Sequence, residues 1–188
     1  MKLYLGTEPP SPDYFHYPII RIEPRSLPPG ADLSPFTHII FTSKNAVRIF
    51  LSHFPDLSSK TLIAVGKATA SLLPSALTAT EELQEGIVVL LGSLDLTGAN
   101  ILLPRSSQAR HIIDDFLQKN SVRYEVWDLY DPVPQIPFPL PSLDQFEEII
   151  FTSPSTVRAF FEFFGKPPPH IKLTCQGSVT EAALRNTL

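Results

Sequence analysis

The chain has 188 residues, 43% of them hydrophobic, enough to fill the core of one ordinary domain or of two small ones. A net charge of −4 with scattered Lys and Arg lacks the long-range attraction that nucleic-acid binding needs, and a single cysteine excludes an internal disulfide or a cysteine-based zinc site. The longest purely aliphatic run, Ile87 to Leu91, is far too short to span a bilayer, and Met1 leads straight into a strand-like KLYL with no basic and then apolar leader, so a soluble cytoplasmic protein with no membrane partner is expected.

In chain order, KLYL is followed by the first of three proline-dense stretches, EPPSP (8 to 12), and then by EPRSLPPGADLSP (23 to 35). With the third, DPVPQIPFPLP (131 to 141), they hold much of the total of twenty prolines and are expected to be neither helix nor central strand. Fixed φ makes such stretches semi-rigid spacers, so the second and third are expected to be crossings between two compact bodies. Between them, HIIFT (38 to 42) is apolar and β-branched, after which Val47, Phe50, Leu51 and Phe54 take up the spacing of a helix with one buried face. LIAVG (62 to 66) is an apolar strand closed by glycine, with Thr69 on an incipient helix. NILLP (100 to 104), a helix near Gln108 to Lys119 and VRYEVWDLY (122 to 130) continue the alternation.

Beyond the third proline stretch the pattern returns. HIIFTSKNAVRIFLSHF (38 to 54) and EIIFTSPSTVRAFFEFF (148 to 164) are identical at nine of seventeen positions. LTCQGSVTEAAL (173 to 184) parallels LIAVGKATASLL, aligning Gly177 with Gly66 and Thr180 with Thr69. A βαβα unit of about 37 residues therefore occurs twice. Ser43 and Ser153 stand at the N-cap position of the two helices, and Pro154 suits a first turn. Cys175 is expected as a small buried apolar residue.

The fold expected is α/β, with two parallel-sheet lobes. The first is discontinuous, formed by residues 1–22 and 140–188; the second, residues 37–128, is inserted into it; residues 23–36 and 129–139 are the linker crossings. Ligands of open parallel sheets collect outside the carboxyl ends of the strands. Four helix N-termini, after Thr42, Gly66, Thr152 and Gly177, would offer unpaired N–H groups to an anion without basic side chains. Glycine at 66 and 177 would let backbone approach a ligand, and the hydroxyls of Thr42, Thr69, Thr152 and Thr180 would donate to carboxylates; ordinary caps and turn glycines are the alternative. The five histidines show no metal-ligand spacing, and neither GxGxxG nor GxxxxGK[ST] occurs, so no metal and no nucleotide cofactor is expected.

The set IIFTSKNAVRIF, IAVGKATASLL, ILLPRSSQA, VRYEVWDLY, IIFTSPSTVRAFF and GSVTEAAL resembles the uroporphyrinogen-III synthase family over residues 38 to 188. The resemblance implies two flavodoxin-like lobes, a substrate bound between them, and no cofactor. It implies cyclisation of hydroxymethylbilane, a polycarboxylate, to uroporphyrinogen III with loss of water and inversion of ring D. It implies Tyr130 as proton donor to the departing hydroxyl, with packing against Pro132 and Pro134 as the alternative for that side chain. Carried over as substrate contacts are Thr42, Ser43, Thr69, Ser153 and Thr180, with Lys172 as a carboxylate partner. Arg105 and Arg110 are carried over as reaching substrate carboxylates or as solvated charges.

The family pattern of a first strand ending in Thr-Arg and then a helix is not matched, since Thr7 has no arginine after it and Pro9, Pro10 and Pro12 oppose a helix. Together with the chain stopping at Leu188, this leads us to expect a first lobe of fewer strands. A monomer is expected, with transient contact with the preceding pathway enzyme as a possibility. The rival reading is a non-catalytic two-lobed binding protein for a tetrapyrrole or other polycarboxylate.

Overall fold

The computed structural model describes residues 1–188, and the chain divides into two compact units, Met1–Glu23 with Pro132–Leu188, and Pro24–Asp131. In chain order the elements are β1 (Lys2–Tyr4), β2 (Tyr14–His16), β3 (Ile20–Pro24), β4 (His38–Phe41), α1 (Lys44–His53), β5 (Thr61–Ala64), α2 (Gly66–Ala70) and β6 (Leu77–Thr78). They continue with α3 (Gln84–Gly92), β7 (Asn100–Ser106), α4 (Ile112–Lys119), β8 (Arg123–Pro134), β9 (Glu148–Phe151), α5 (Pro154–Phe164), β10 (Lys172–Cys175) and α6 (Ser178–Arg185). No helix is long and apolar enough to cross a membrane.

A six-stranded sheet has the order β3-β8-β7-β4-β5-β6, parallel from β8 to β6, and the unit 24–131 is built on its strands β4 to β7 and on β8 as far as Asp131. Alternate residues of its strands serve opposite faces. Ile40, Ile63, Ile101 and Leu103 pack with Ile87 and Leu91 of α3 and with Ile113 and Leu117 of α4. On the other face Phe41 meets Phe50 of α1 at 5.3 Å between ring centres, and Trp127 lies 6.1 Å from Phe50 and 6.0 Å from Phe54. Helices on both faces are what a parallel sheet needs to bury its apolar strands. Neither α3 nor β6 was expected. The run Ile87 to Leu91 is aliphatic without the gaps that mark one helical face, and its period alone cannot separate helix from strand.

The proline-dense stretches also differ from expectation. β8 runs on through Pro132 and Pro134 of the third stretch, while Pro104, outside these stretches, lies in β7 as the strand reading of NILLP expects. The ladder from β7 to β8 ends at Ser106–Tyr130, and that from β4 to β7 ends at Ile39–Leu102. Pro132 and Pro134 therefore lie where β7 has run out, and Pro104 where the ladder to β4 has ended, so their missing N–H is not needed. Residues after Pro24 lie with the second unit: Phe36 is buried, and the Lys60 ammonium donates to the carbonyls of Leu33 and Phe36 at 2.8 and 2.7 Å.

The unit formed by 1–23 and 132–188 has a parallel four-stranded sheet of order β10-β9-β1-β2. Leu3, Leu5, Ile149 and Phe151 pack with Val157 and Phe160 of α5 and Leu184 of α6. No helix intervenes between β1 and β2, the stretch holding Pro9, Pro10 and Pro12. Cys175 is half-buried against this core instead of fully enclosed, and burial first, then the Glu181 charge, raises its thiol pKa. α5 starts on a full capping box: Ser153 Oγ accepts from Thr156 N–H at 3.3 Å, and Thr156 Oγ1 accepts from Ser153 N–H at 3.1 Å.

Phe160 is fully buried, so Phe160→Ala is expected to destabilise the fold by about 3–5 kcal/mol. Ser153→Ala, which removes the cap alone, is expected to cost about 1 kcal/mol. Urea midpoints of the two variants against the parent protein check both values.

Candidate active site

In the unit 24–131 the carboxyl ends of β4, β5, β7 and β8 lie at one edge of a parallel sheet. Ser43, the N-cap of α1, accepts from Ala46 N–H at 3.1 Å, and its Oγ also lies 2.9 Å from the phenolic oxygen of Tyr130. Tyr130 is 6% exposed. Burial raises its pKa, and the hydrogen bond with Ser43 offsets part of that rise. At neutral pH the group therefore holds its proton.

The ladder from β7 to β8 is irregular at this point. Arg105 pairs with Asp128, but Ser106 pairs with Tyr130, leaving Leu129 as an extra residue. Trp127 faces α1, and Asp128 faces Arg105 and α4. Uninterrupted alternation would send Tyr130 toward α4 as well. The bulge turns it to the α1 face, where Ser43 waits. Asp131, the next residue, accepts two bonds from the Arg25 guanidinium at 2.6 and 2.9 Å and one from Ser107, contacts that hold its carboxyl below the usual range.

Arg105 does not point an open guanidinium at this edge. It is 8% exposed, donates to Asp114 at 2.6 Å, lies 3.3 Å from His111 Nδ1 and has Asp128 3.6 Å from its Nε. Its expected role as a carboxylate contact is thus replaced by a structural one, tying β7 to α4 and β8. Arg110 is likewise engaged, by both oxygens of Glu85 at 2.6 and 2.9 Å. Gly66 has φ +70°, and a side chain there would meet Glu82 at 3.0 Å. The Glu82 carboxylate accepts from Lys67 N–H at 3.1 Å. Contrary to the sequence reading, the short α2 thus presents an N-terminus already closed by the chain's own acid. Thr42 is half-buried beside Ser43, and Thr69 is buried on α2.

The corresponding edge of the other unit carries Thr152, Ser153, Gly177 and Thr180. Thr152 N–H donates to Thr156 Oγ1 at 3.1 Å, and Ser153 Oγ lies 2.8 Å from Ser155 Oγ. Gly177 has φ +91° and starts α6 without a side-chain cap, while Thr180 is buried and donates to the Gln176 carbonyl at 3.1 Å. Gly6, which the sequence reading passed over, packs so closely on this edge that a Cβ would fall 2.7 Å from Thr152. His16 Nε2 lies 2.8 Å from the Gly6 carbonyl there. Lys172 is a correction. It opens β10, at the opposite end from Gly177, where it lies 3.5 Å from Glu148, itself paired to Lys2 at 3.0 Å. No group of three His, Cys, Asp or Glu side chains is placed to hold a metal ion.

Comparison with known proteins places this geometry in context. The family profile described as uroporphyrinogen-III synthase HemD matches residues 13–187. A uroporphyrinogen-III synthase of Chlorobaculum parvum is 28% identical over 195 residues, covering 89% of this chain and 77% of that protein. Among solved structures, uroporphyrinogen-III synthetase from Helicobacter pylori superposes with a TM-score of 0.71 at 20% identity, over 98% of this chain and 87% of that one. A uroporphyrinogen III synthase mutant from Thermus thermophilus gives 0.62 at 16% identity, over 92% and 79%. These two likenesses support the α/β fold with parallel sheets.

Burial raises the phenol pKa of Tyr4, Tyr17 and Tyr130, so these groups keep their protons where an unfolded chain has lost them. Their contribution to stability is present at neutral pH and falls as pH climbs past about 10. Alkaline difference absorbance is expected to show one fewer late-ionising phenol in Tyr130→Phe, and that variant is expected to lose less stability over the same window.

Proposed function

Because the chain belongs to the uroporphyrinogen-III synthase family, matched over residues 13–187, we propose that it closes hydroxymethylbilane to uroporphyrinogen III with Tyr130 as the proton donor. The enzyme is a cyclising hydro-lyase of tetrapyrrole biosynthesis. The observation that carries the residue assignment is the buried phenol held 2.9 Å from the N-cap hydroxyl of α1.

The chemistry follows from that group. The phenol gives its proton to the terminal hydroxyl, which leaves as water with the electrons of the C–O bond, and the pyrrole nitrogen supplies electrons to the carbon left behind. The substituted carbon of ring D attacks this azafulvene to form a spiro intermediate. The older bond from that carbon to the bridge toward ring C then breaks, the freed bridge carbon bonds the unsubstituted carbon of ring D, and the proton lost there as the pyrrole regains aromaticity restores the phenol. One water is lost overall. A buried phenol suits this duty, because it is protonated at neutral pH and its low-dielectric setting strengthens the bond to a developing hydroxide.

In this reading the two units are the two lobes of the family fold, one of them discontinuous in sequence. Carboxylates of the bilane take hydroxyl and backbone N–H contacts from Thr42 and Ser43 at the strand-end edge of the unit 24–131. Arg105 supports Tyr130 from behind, through β7, and Lys172 is no part of the site.

Incubation with freshly made hydroxymethylbilane and separation of the product isomers tests the reading. The type III isomer is expected; type I alone, at the uncatalysed rate, overturns it. Tyr130→Phe is expected to lower the rate of type III formation by about 10²- to 10⁴-fold with the fold intact.

A further inference from the structure

Two side-chain ties join β7 to β8 on the same face of the sheet. Arg105 pairs with Asp128 in the ladder, 3.6 Å from it, and two residues further along β7 the Ser107 hydroxyl donates to Asp131, which is three residues further along β8. The surplus residue of the bulge lies between these ties. Were β8 to run on without it, the place opposite Ser107 would fall to Tyr130, and the phenol would turn to the α4 side with Arg105. Asp131 takes that place instead, and the phenol stands on the α1 side, 2.9 Å from Ser43.

The partners of Asp131 select this register. Arg25, which follows β3, donates from its guanidinium to both carboxylate oxygens at 2.6 and 2.9 Å, and Ser107 reaches one of the same oxygens from the strand on the other side. Both partners also hold the backbone around the phenol. Arg25 N–H donates to the Leu129 carbonyl at 2.7 Å, and Ser107 N–H donates to the Tyr130 carbonyl at 3.0 Å. Leu129, Tyr130 and Asp131 are thus gripped together. A phenol cannot replace the carboxylate in this grip, since it offers one oxygen and no charge to a two-pronged guanidinium. The slipped register would leave Arg25 without its acid.

We propose that Asp131 is a positioning residue of the reaction: held by Arg25 and Ser107, it fixes the bulge at Leu129 and so keeps the Tyr130 phenol on the Ser43 side of the sheet. The proposal rests on the assignment of Tyr130 as proton donor. Asp131 points to the face opposite the phenol and acts only through the strand that carries both.

The test has two readings. One is the rate of type III formation, into which uncatalysed cyclisation does not intrude; the other is the alkaline titration of the Tyr130 phenol, isolated by subtracting the absorbance change of the matching Tyr130→Phe protein. Asp131→Ala is expected to lower kcat about 10- to 10²-fold, the scale of a displaced reacting group, with KM unchanged. The phenol is expected to ionise at lower pH in that variant, because it leaves a place where it is 6% exposed for one where the Asp131 side chain is 31% exposed. The Ala change is expected to add nothing in the Tyr130→Phe background. Should Asp131→Ala not fold, Asp131→Asn, which keeps an acceptor for Ser107 but no charge for Arg25, is read in its place and is expected to move both readings the same way by less. Unchanged kcat, an unmoved phenol titration, or a loss that recurs undiminished without the phenol overturns the proposal. If Tyr130→Phe itself keeps full turnover, the proton-donor assignment fails and takes the part of Asp131 in the reaction with it, while the phenol titration still decides the register; the two failures are thereby told apart.

Discussion

A single hydrogen bond, between a phenol on β8 and the cap hydroxyl of α1, organises the candidate site. It exists because a parallel sheet must be covered on both faces, which places α1 over β4, β7 and β8 and starts that helix at the carboxyl edge of the sheet. It exists also because one extra residue in β8 reverses the direction of the side chain that follows. Remove either condition and Tyr130 loses the Ser43 hydroxyl that orients it.

Much of the fold was legible in the chain. The repeated strand-to-helix unit, its serine caps and the buried stripe of Val47 and Phe50 or Val157 and Phe160 all appear as read, since each depends on neighbours along the chain. The third helix was not legible, because a uniformly aliphatic run has no polar face to declare its period. The strand character of the proline-bearing residues in β8 was not legible either. Whether a proline is tolerated in a sheet depends on where the neighbouring strand ends, and that is a property of pairing.

The candidate site divides in the same way. Ser43 could be found because capping is local, and Tyr130 because the likeness to the family carries it over. The bulge that brings them together leaves no mark in residues 123 to 134. Arg105 looked available in sequence because its partners Asp114 and Asp128 lie nine and twenty-three positions on, a distance that only the fold closes. Lys172 looked close to Gly177, yet a strand's length separates them, and strands carry their two ends to opposite edges.

The two copies of the repeat also show how alike starting points came to differ. In one, the cap serine closes on a second serine of its own first turn; in the other, the equivalent oxygen faces a phenol from a distant strand. Nothing inside the repeated Phe-Thr-Ser turn decides between these outcomes. What decides is the count of residues in the strand across from it, so that chemistry here is set by length more than by composition. Deleting one residue near Leu129 would silence the hydroxyl while leaving every functional side chain in the chain, a change that no tally of matched residues would reveal.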